Sequence, residues 1–579
     1  MNIEHLANIQ DGEKFDVAII GGGINGIGTY RELALQGLKV LLIEKNDFCN
    51  GASSAPSRMI HGGLRYLENA EFDLVRESLA ERNQLLKNAP HLVKPLQTIV
   101  PLSQHFAGII TASLRFFGVS KLTSERGSII VKIGLMFYDI YTRKERVMPP
   151  HQFYGKRQTC SRFPSIRDSV KCIAEYYDAW ITSPERLAME LIKEGNEVQG
   201  ISRALNHCIA TFSGRGALTL TSTLQNEQRK ISANIIVNAT GAWIDEVNQE
   251  IGFHSEFISG TKGSHIVVDN KALHDELDGA MLFYENSENR ICILFPFMGK
   301  VLIGSTDIPV SSLSDVHCTD DEVTYILESL KMILPGITVD KKQIVYKFSG
   351  VRPLGSATKE SAGQIPRSHQ LQVSDANGQT VISLVGGKWT TFRSFAEQAT
   401  DEVLLLLRKP RLYSTLDKPI GGGKNYPTTE LQRDNYLAYL CEKYLLRLDH
   451  VQSLFTRYGT EIEKMLGFKN VVKLTPLMTL GDYFIEEIQY LIKLESTFNL
   501  DDLVVRRTNL AIEGRLNNQI LIELAMLMKD LLGWDEPILI EQLESCSKRL
   551  RDENGSKLNN EVIASQYKNF NTNGEVLCS

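Results

Sequence analysis

Apolar positions along this chain follow three patterns, and each predicts a different kind of element. Short unbroken runs come first: DVAII at 16–20 reads as a strand buried on both faces, and Lys39-Val-Leu-Leu-Ile-Glu44 as a second. Between them lie a glycine turn, GGGINGIG, and the helix-like TYRELALQGL, so the three parts make a βαβ unit. Strand–glycine–helix wording returns at 379–407, and strands plus a helix are expected from 172 to 241, ending in ANIIVNATGAW. The second pattern lies between 260 and 310, where SHIVVD, AMLFYE, RICILFPF and KVLIGSTD are short runs separated by turns, which predicts an antiparallel sheet. The third is a helical period at 71–89 and again beyond 425, where Ile520, Leu521, Leu524 and Met528 would line one face. Residues 47–63 read as a loop, DKPIGGGKNYP at 417–427 as a linker, and the polar end from about 554 as frayed.

Three parts are therefore expected. A discontinuous α/β Rossmann-like domain takes 14–100, 150–245 and 345–415; an antiparallel-sheet domain covers 246–344; a helical domain fills 425–579. A chain of 579 residues is long enough for this division. The net charge of −6 gives no general attraction to nucleic acid, so any anion site must be a local cluster of arginine and lysine. The first residues lack both a basic start and an apolar core, and no window has the roughly 18 uninterrupted apolar residues of a spanning helix. Nine scattered cysteines without a CxxC pair indicate neither a disulfide framework nor a zinc site. We expect a cytoplasmic, reduced protein without a metal.

Gly21, Gly23 and Gly26 form G-x-G-x-x-G between a strand and a helix, where the backbone can approach a pyrophosphate and the helix start can hold its charge. Glu44 ends the second strand, in position to accept hydrogen bonds from a ribose diol. NAD and FAD share this fingerprint. The other glycine-bearing strand ends, NATGAW and LVGGKW, lie far along the chain, which favours one large FAD domain assembled from separated segments.

The chain resembles the FAD-dependent glycerol-3-phosphate dehydrogenases, within the D-amino-acid-oxidase-like flavoproteins. The resemblance rests on IIGGGINGIG, SSAPSRMIHGGLRYLE, GLMFYD, VNATGAW, KGSHIVV, IGSTDI, FSGVRPL, VGGKWTT and DDLVVRRTNLAI, which run in family order from 19 to 512. It implies noncovalent FAD held by Gly21, Gly23, Gly26, Glu44, Ser54, Thr240, Gly241, Gly386, Gly387, Lys388 and Thr390. It further implies that His61, Arg65, Tyr66, His265, Arg352, Arg367 and Lys388 surround glycerol 3-phosphate.

Planar arginine forks suit a phosphate, with lysine as a compact supplementary charge. Taken alone, each arginine is more simply a surface ion pair, although Arg352 stands in the apolar, turn-like setting SGVRPL. A histidine suits the proton acceptor, and His265 and His61 are the two candidates. His265 lies in an apolar strand, where a core histidine is the ordinary reading; the resemblance favours it as base, with His61 as a flavin or substrate contact. Lys388 precedes Thr390 and Thr391 at a helix start, which could favour negative charge at the flavin's N1–C2 edge or be capped by threonine.

The electron acceptor expected from the resemblance is a quinone; the alternative is an oxidase that passes electrons to oxygen and releases hydrogen peroxide. The segment 114–146 mixes apolar with basic residues, including Met136 and Tyr138, and suits docking on the inner face of a membrane as well as packing on the protein's own core. RRTNLAI at 506–512 is expected to serve an interaction, a homodimer contact for example, rather than chemistry.

Overall fold

The computed structural model describes residues 6–63, 71–103, 135–136, 138–139, 147–288, 290–310, 312–314, 316–355, 369–468, 473–559 and 563. Two sheets and a helical domain make up the molecule. The first sheet is built from β1 (Glu13–Ile20), β2 (Val40–Ile43), β7 (Arg203–Leu205), β8 (Cys208–Gly214), β9 (Ala217–Ser222), β10 (Gln228–Asn238), β17 (Gln370–Ala376) and β18 (Gln379–Val385). The second takes β3 (Met59–Ile60), β4 (Val93–Leu102), β5 (Gln152–Gly155), β6 (Cys172–Ile181), β11 (Ile258–Val268), β12 (Met281–Glu285), β13 (Ile291–Phe297), β14 (Lys300–Gly304), β15 (Ile308–Pro309) and β16 (Ile344–Gly355).

The first sheet runs β17-β18-β10-β1-β2-β7, with β18, β10, β1, β2 and β7 parallel. All four residues of β2 are buried, as the unbroken run requires of a strand covered on both faces: Val40 and Leu42 pack with the helices Ile24–Leu35, Pro184–Glu197 and Phe392–Leu407, and Leu41 and Ile43 with Cys208 of β8 and Leu218 and Leu220 of β9. The helix Ile24–Leu35 packs closely on Phe392–Leu407 and on Pro184–Glu197. A Cβ on Gly28 would lie 2.9 Å from the Phe392 ring, and one on Gly195 would lie 2.4 Å from Tyr30.

The strands of the second sheet come from more of the chain than the antiparallel region at 246–344. β4 and β6 pair over ten residues, Val93↔Ile181 to Leu102↔Cys172, and β4 joins β12 in parallel. Stretches expected in the nucleotide domain, 93–100, 152–155, 172–181 and 345–355, thus belong to the second sheet, and the chain crosses between the two sheets repeatedly. An apolar run fixes that a strand is buried; it carries no information about which remote strand will pair with it.

The C-terminal domain is helical, and its core is continuous with one face of the second sheet: Phe295, Phe297, Tyr346 and Phe348 join Leu437, Leu454, Ile488 and Leu524 in one buried cluster. The helix Asn518–Leu532 buries Ile520, Leu521, Leu524 and Met528 as the period predicts. The expected linker at 417–427 is instead a packed joint. Cβ atoms on Gly421, Gly422 and Gly423 would fall 2.1 Å from Glu190, 2.0 Å from the Tyr458 carbonyl and 2.2 Å from the Asn88 carbonyl, so these glycines serve close packing rather than flexibility.

Most of 114–146 lies outside the described residues. Tyr138 is buried, bonded to Arg82 and Asp178, and therefore does not belong to a docking face; Met136 is exposed. No helix among the described residues is long and apolar enough to cross a membrane.

Candidate active site

The turn after β1 carries the glycine fingerprint. Gly21 has φ 107°, and a Cβ there would lie 2.7 Å from the Ala239 carbonyl; a Cβ on Gly26 would lie 2.0 Å from the Gly21 carbonyl. Gly23 starts the helix without a side-chain cap, and the Ile24 N–H donates to Ser53 Oγ at 3.0 Å. The remaining N–H groups of that helix start could hold an anion. Glu44 accepts from the N–H of Gly22 at 2.7 Å and of Asn46 at 2.9 Å, one on each oxygen. Each oxygen keeps a lone pair for a ribose hydroxyl. Burial raises the Glu44 pKa, and these two hydrogen bonds oppose the rise.

Segments far apart in sequence meet at this turn. Asn25 Nδ2 donates to the Gly386 carbonyl at 3.0 Å, and the Trp389 indole donates to the Ser53 carbonyl at 3.2 Å. The His61 N–H donates to Thr390 Oγ1 at 3.2 Å, and Lys388 Nζ donates to Ser78 Oγ at 2.8 Å. On the other side, a Cβ on Gly350 would meet Ala55 at 2.8 Å, and one on Gly241 would reach Pro353 at 4.0 Å. Segments 21–26, 53–55, 240–241, 350–353 and 386–390 therefore converge, as a dinucleotide groove built from separated pieces demands.

The second sheet supplies one wall. Alternation along β11 puts Thr261, Gly263, His265 and Val267 on one face, and the register with β16 adds Arg352, Gly350, Phe348 and Tyr346 to it. Two glycines make room for the functional side chains. A Cβ on Gly304, across from His265, would lie 2.1 Å from the imidazole, and one on Gly263 would lie 2.1 Å from the Arg352 guanidinium. The Arg352 fork donates to Asp307 Oδ1 at 3.1 Å, to Ser305 Oγ at 2.9 Å and to the Thr306 carbonyl at 3.2 Å. It is thus an ion pair, as the plain reading of an arginine expects, and its side chain is still 26% exposed. We expect Gly263→Ala to push the guanidinium aside and raise the substrate KM about 10²-fold while FAD content is unchanged, since small misplacements carry that order of cost. Steady-state kinetics with flavin quantification checks it.

His265 is 2% exposed and stacks on Phe348 at 5.1 Å, and neither ring nitrogen has a partner among the described residues. Burial, with the Arg352 charge second, pulls its pKa down to about 3. The ring is therefore neutral at working pH with a lone pair open, but the same burial and the Arg352 charge make it a weak base, so it can take a hydroxyl proton only when the negative charge of a bound phosphate offsets them. The unfolded chain protonates this ring as pH falls below its ordinary value near 6.5, and the folded chain resists down to about 3. The stability contribution is accordingly full above that ordinary value and is lost progressively as pH falls through the window. In urea unfolding at a series of pH values, His265→Gln is expected to flatten the acid-side slope by up to one proton.

His61, His265, Arg352 and Lys388 are thus placed around the converging segments, while Arg65, Tyr66 and Arg367 lie outside the described residues. Ser53, one residue before the expected Ser54, bridges the turn; Ser54 bonds locally to the Gly51 carbonyl. The threonine cap is not made: the helix Phe392–Leu407 has no side-chain cap bond, and Thr391 Oγ1 is buried without a partner among the described residues. Asn25, Gly263, Gly304 and Asp307 escaped the sequence reading, although all four sit inside the motifs IIGGGINGIG, KGSHIVV and IGSTDI.

FAD fits what is present. The glycine cradle, the two uncapped helix starts and the orphaned Asn25 Oδ1 and Thr391 Oγ1 call for a ligand with phosphates and hydrogen-bonding edges. A cavity of about 220 Å³ adjoins this region between 50–58, β16 and the C-terminal helices, lined by Ser54, Arg58, Trp243, Phe348 and Arg506 among others. Asp47, His207 and Asp502 have metal-ligand spacing, but Arg506 and Arg507 already occupy the carboxylate oxygens, so this is an ion-pair network. The arginines of RRTNLAI are therefore engaged inside the chain.

Comparison with known proteins agrees with the geometry. Residues 16–392 match the family described as FAD dependent oxidoreductase, and 413–537 match the C-terminal domain of alpha-glycerophosphate oxidase. A glycerol-3-phosphate dehydrogenase from Synechocystis is 32% identical over 93% of this chain and 95% of its own length. The aerobic glycerol-3-phosphate dehydrogenase of Escherichia coli is 30% identical over 86% of this chain and 94% of its own. The crystal structure of the Bacillus halodurans glycerol-3-phosphate dehydrogenase complexed with FAD superposes with a TM-score of 0.72 over 93% of this chain and 95% of that one, at 21% identity, which supports the fold.

Proposed function

As the chain belongs to the FAD-dependent glycerol-3-phosphate dehydrogenases, a family of FAD-dependent oxidoreductases, we propose that it oxidises sn-glycerol 3-phosphate to dihydroxyacetone phosphate and hands the electrons to a quinone. The observation that carries the chemistry is His265: a buried, neutral imidazole with no partner for either nitrogen among the described residues, beside an arginine on the wall that faces the nucleotide segments.

When bound, FAD supplies the two-electron acceptor for the hydride that leaves carbon 2 of the substrate. The protein's part is to hold and orient. Arg352, steered by Asp307 and Ser305, presents its fork to the phosphate, and Arg65, Arg367 and Lys388 complete the cationic cluster implied by the family motifs. His265 takes the C2 hydroxyl proton, and its burial against Phe348 keeps water from competing for it. Gly21, Gly23, Gly26, Glu44, Ser54, Thr240, Gly241, Gly386, Gly387, Lys388 and Thr390 line the cofactor groove, with His61 beside Thr390.

Oxygen is the second acceptor to weigh, because the C-terminal match is to a domain named for an oxidase. Turnover with a soluble quinone under argon, set against peroxide yield in air, decides between them. The expected result is fast quinone reduction and substoichiometric peroxide. One peroxide per substrate, with no faster turnover on quinone, would make the protein an oxidase. A quinone acceptor also favours a cytoplasmic protein bound peripherally to the inner face of the membrane.

A further inference from the structure

The arginine pair of the C-terminal domain reaches the nucleotide turn through a single aspartate. Asp47 is fully buried in the segment that follows β2. Arg507 donates to both of its oxygens, at 2.7 and 2.8 Å; Arg506 adds a bond at 2.6 Å and Asn206 one at 2.7 Å. The two guanidinium groups come from the end of a π-helical segment, Asp502–Arg507, a rare conformation that tends to occur at functional positions. Arg507 is itself anchored by the carbonyls of Glu495 and Ser496, and Asp502 receives His207 from the nucleotide domain at 2.9 Å.

The segment Asp47 belongs to is tied on its other side to the fingerprint glycines. Glu44, three residues earlier, holds the Gly22 N–H at 2.7 Å, and Cys49, two residues later, donates to the Gly22 carbonyl at 2.8 Å. A Cβ on Gly22 would meet Glu44 at 2.8 Å and Phe48 at 3.0 Å. Both polar groups of Gly22, between Gly21 and Gly23, are therefore held by the segment that Arg506 and Arg507 grip. Burial alone would raise the Asp47 pKa, but the charges of Arg507 and Arg506 hold it well below the usual carboxylate range, so the grip stays ionised.

We propose that Arg507 and Arg506 are positioning residues through which the C-terminal domain sets the affinity for FAD, by fixing, through Asp47, the loop that shapes the phosphate turn. The proposal rests on the FAD site and not on the choice of substrate. If the grip is lost, the loop samples other conformations, and the apparent FAD dissociation constant rises as the binding-competent fraction falls.

A second buried pair provides the comparison. Arg186, in the helix Pro184–Glu197, bonds Glu495 at 2.7 and 2.8 Å; it also joins the nucleotide domain to the C-terminal domain, with no bond to residues 44–49. FAD dissociation constants would be measured on the full-length protein by equilibrium ultrafiltration of the holoprotein, with thermal unfolding recorded for each variant. Arg507→Met is expected to weaken FAD binding by about tenfold or more beyond Arg186→Met at a similar loss of thermal stability, with Arg507→Lys in between. If Arg507→Met does not fold, the near-isosteric Asp47→Asn is read against Arg186→Met in the same way. An equal weakening in both variants, or FAD binding unchanged in the Asp47 or Arg507 variant, overturns the proposal. Flavin binding is read without turnover, so a wrong substrate assignment would leave this result intact.

Discussion

Arg352→Ala is expected to raise KM for glycerol 3-phosphate about 10²-fold, because a charged, two-pronged donor to a phosphate contributes roughly 1.5–3 kcal/mol per hydrogen bond. A smaller fall in kcat should accompany it, since a phosphate held loosely also misplaces carbon 2. The ion pair with Asp307 supplies a control. If Arg352 matters only as a structural partner of Asp307, Asp307→Asn should be as damaging as Arg352→Ala. If the fork binds substrate, Asp307→Asn should raise KM far less, because Ser305 and the Thr306 carbonyl still orient the guanidinium. Arg352→Lys keeps the charge without the fork and should fall between the two. Unchanged KM in Arg352→Ala would remove this residue from the phosphate site.

The second large effect belongs to His265. His265→Gln should slow reduction of the flavin about 10²- to 10⁴-fold, the usual worth of a positioned general base, while substrate affinity changes little. Gln keeps a similar volume against Phe348 and Gly304, so the wall is not collapsed by the change. Rapid mixing of substrate with enzyme separates the reduction rate from the binding constant. Equal reduction rates in variant and wild type would pass the role of base to another group, with His61 the next candidate.

Local pattern reveals local structure here, and the limits are physical. The βαβ unit was legible because two unbroken apolar runs bracket a glycine turn and a helix, and each of those signals acts within a few residues. The four strands between 260 and 310 were legible for the same reason. The sharing of strands between the two sheets was not: β4 finds β6 some eighty residues on and β12 nearly two hundred on, and apolar character alone does not choose partners. Gly421–Gly423 carried the composition of a flexible linker, yet they are glycines because the backbones of Tyr458 and Asn88 press against them. Within the candidate site, residue types in motifs pointed to His265 and Arg352 but not to the glycines beside them, Gly304 and Gly263, whose purpose appears only when β11 lies between β14 and β16. The arginines of RRTNLAI were visible as a motif; their partner Asp47 lies 459 residues from Arg506 and 460 from Arg507, beyond any spacing rule.

Anaerobic mixing of the purified holoprotein with glycerol 3-phosphate, while following the visible absorbance of oxidised flavin, tests the central claim most directly. The account predicts rapid bleaching with this compound and none with glycerol or with D-amino acids, since the first lacks the phosphate proposed to be held by Arg352 and the others present a different anion and a different reacting centre. A bound flavin that stays oxidised with glycerol 3-phosphate, or that bleaches as quickly with glycerol, would contradict it.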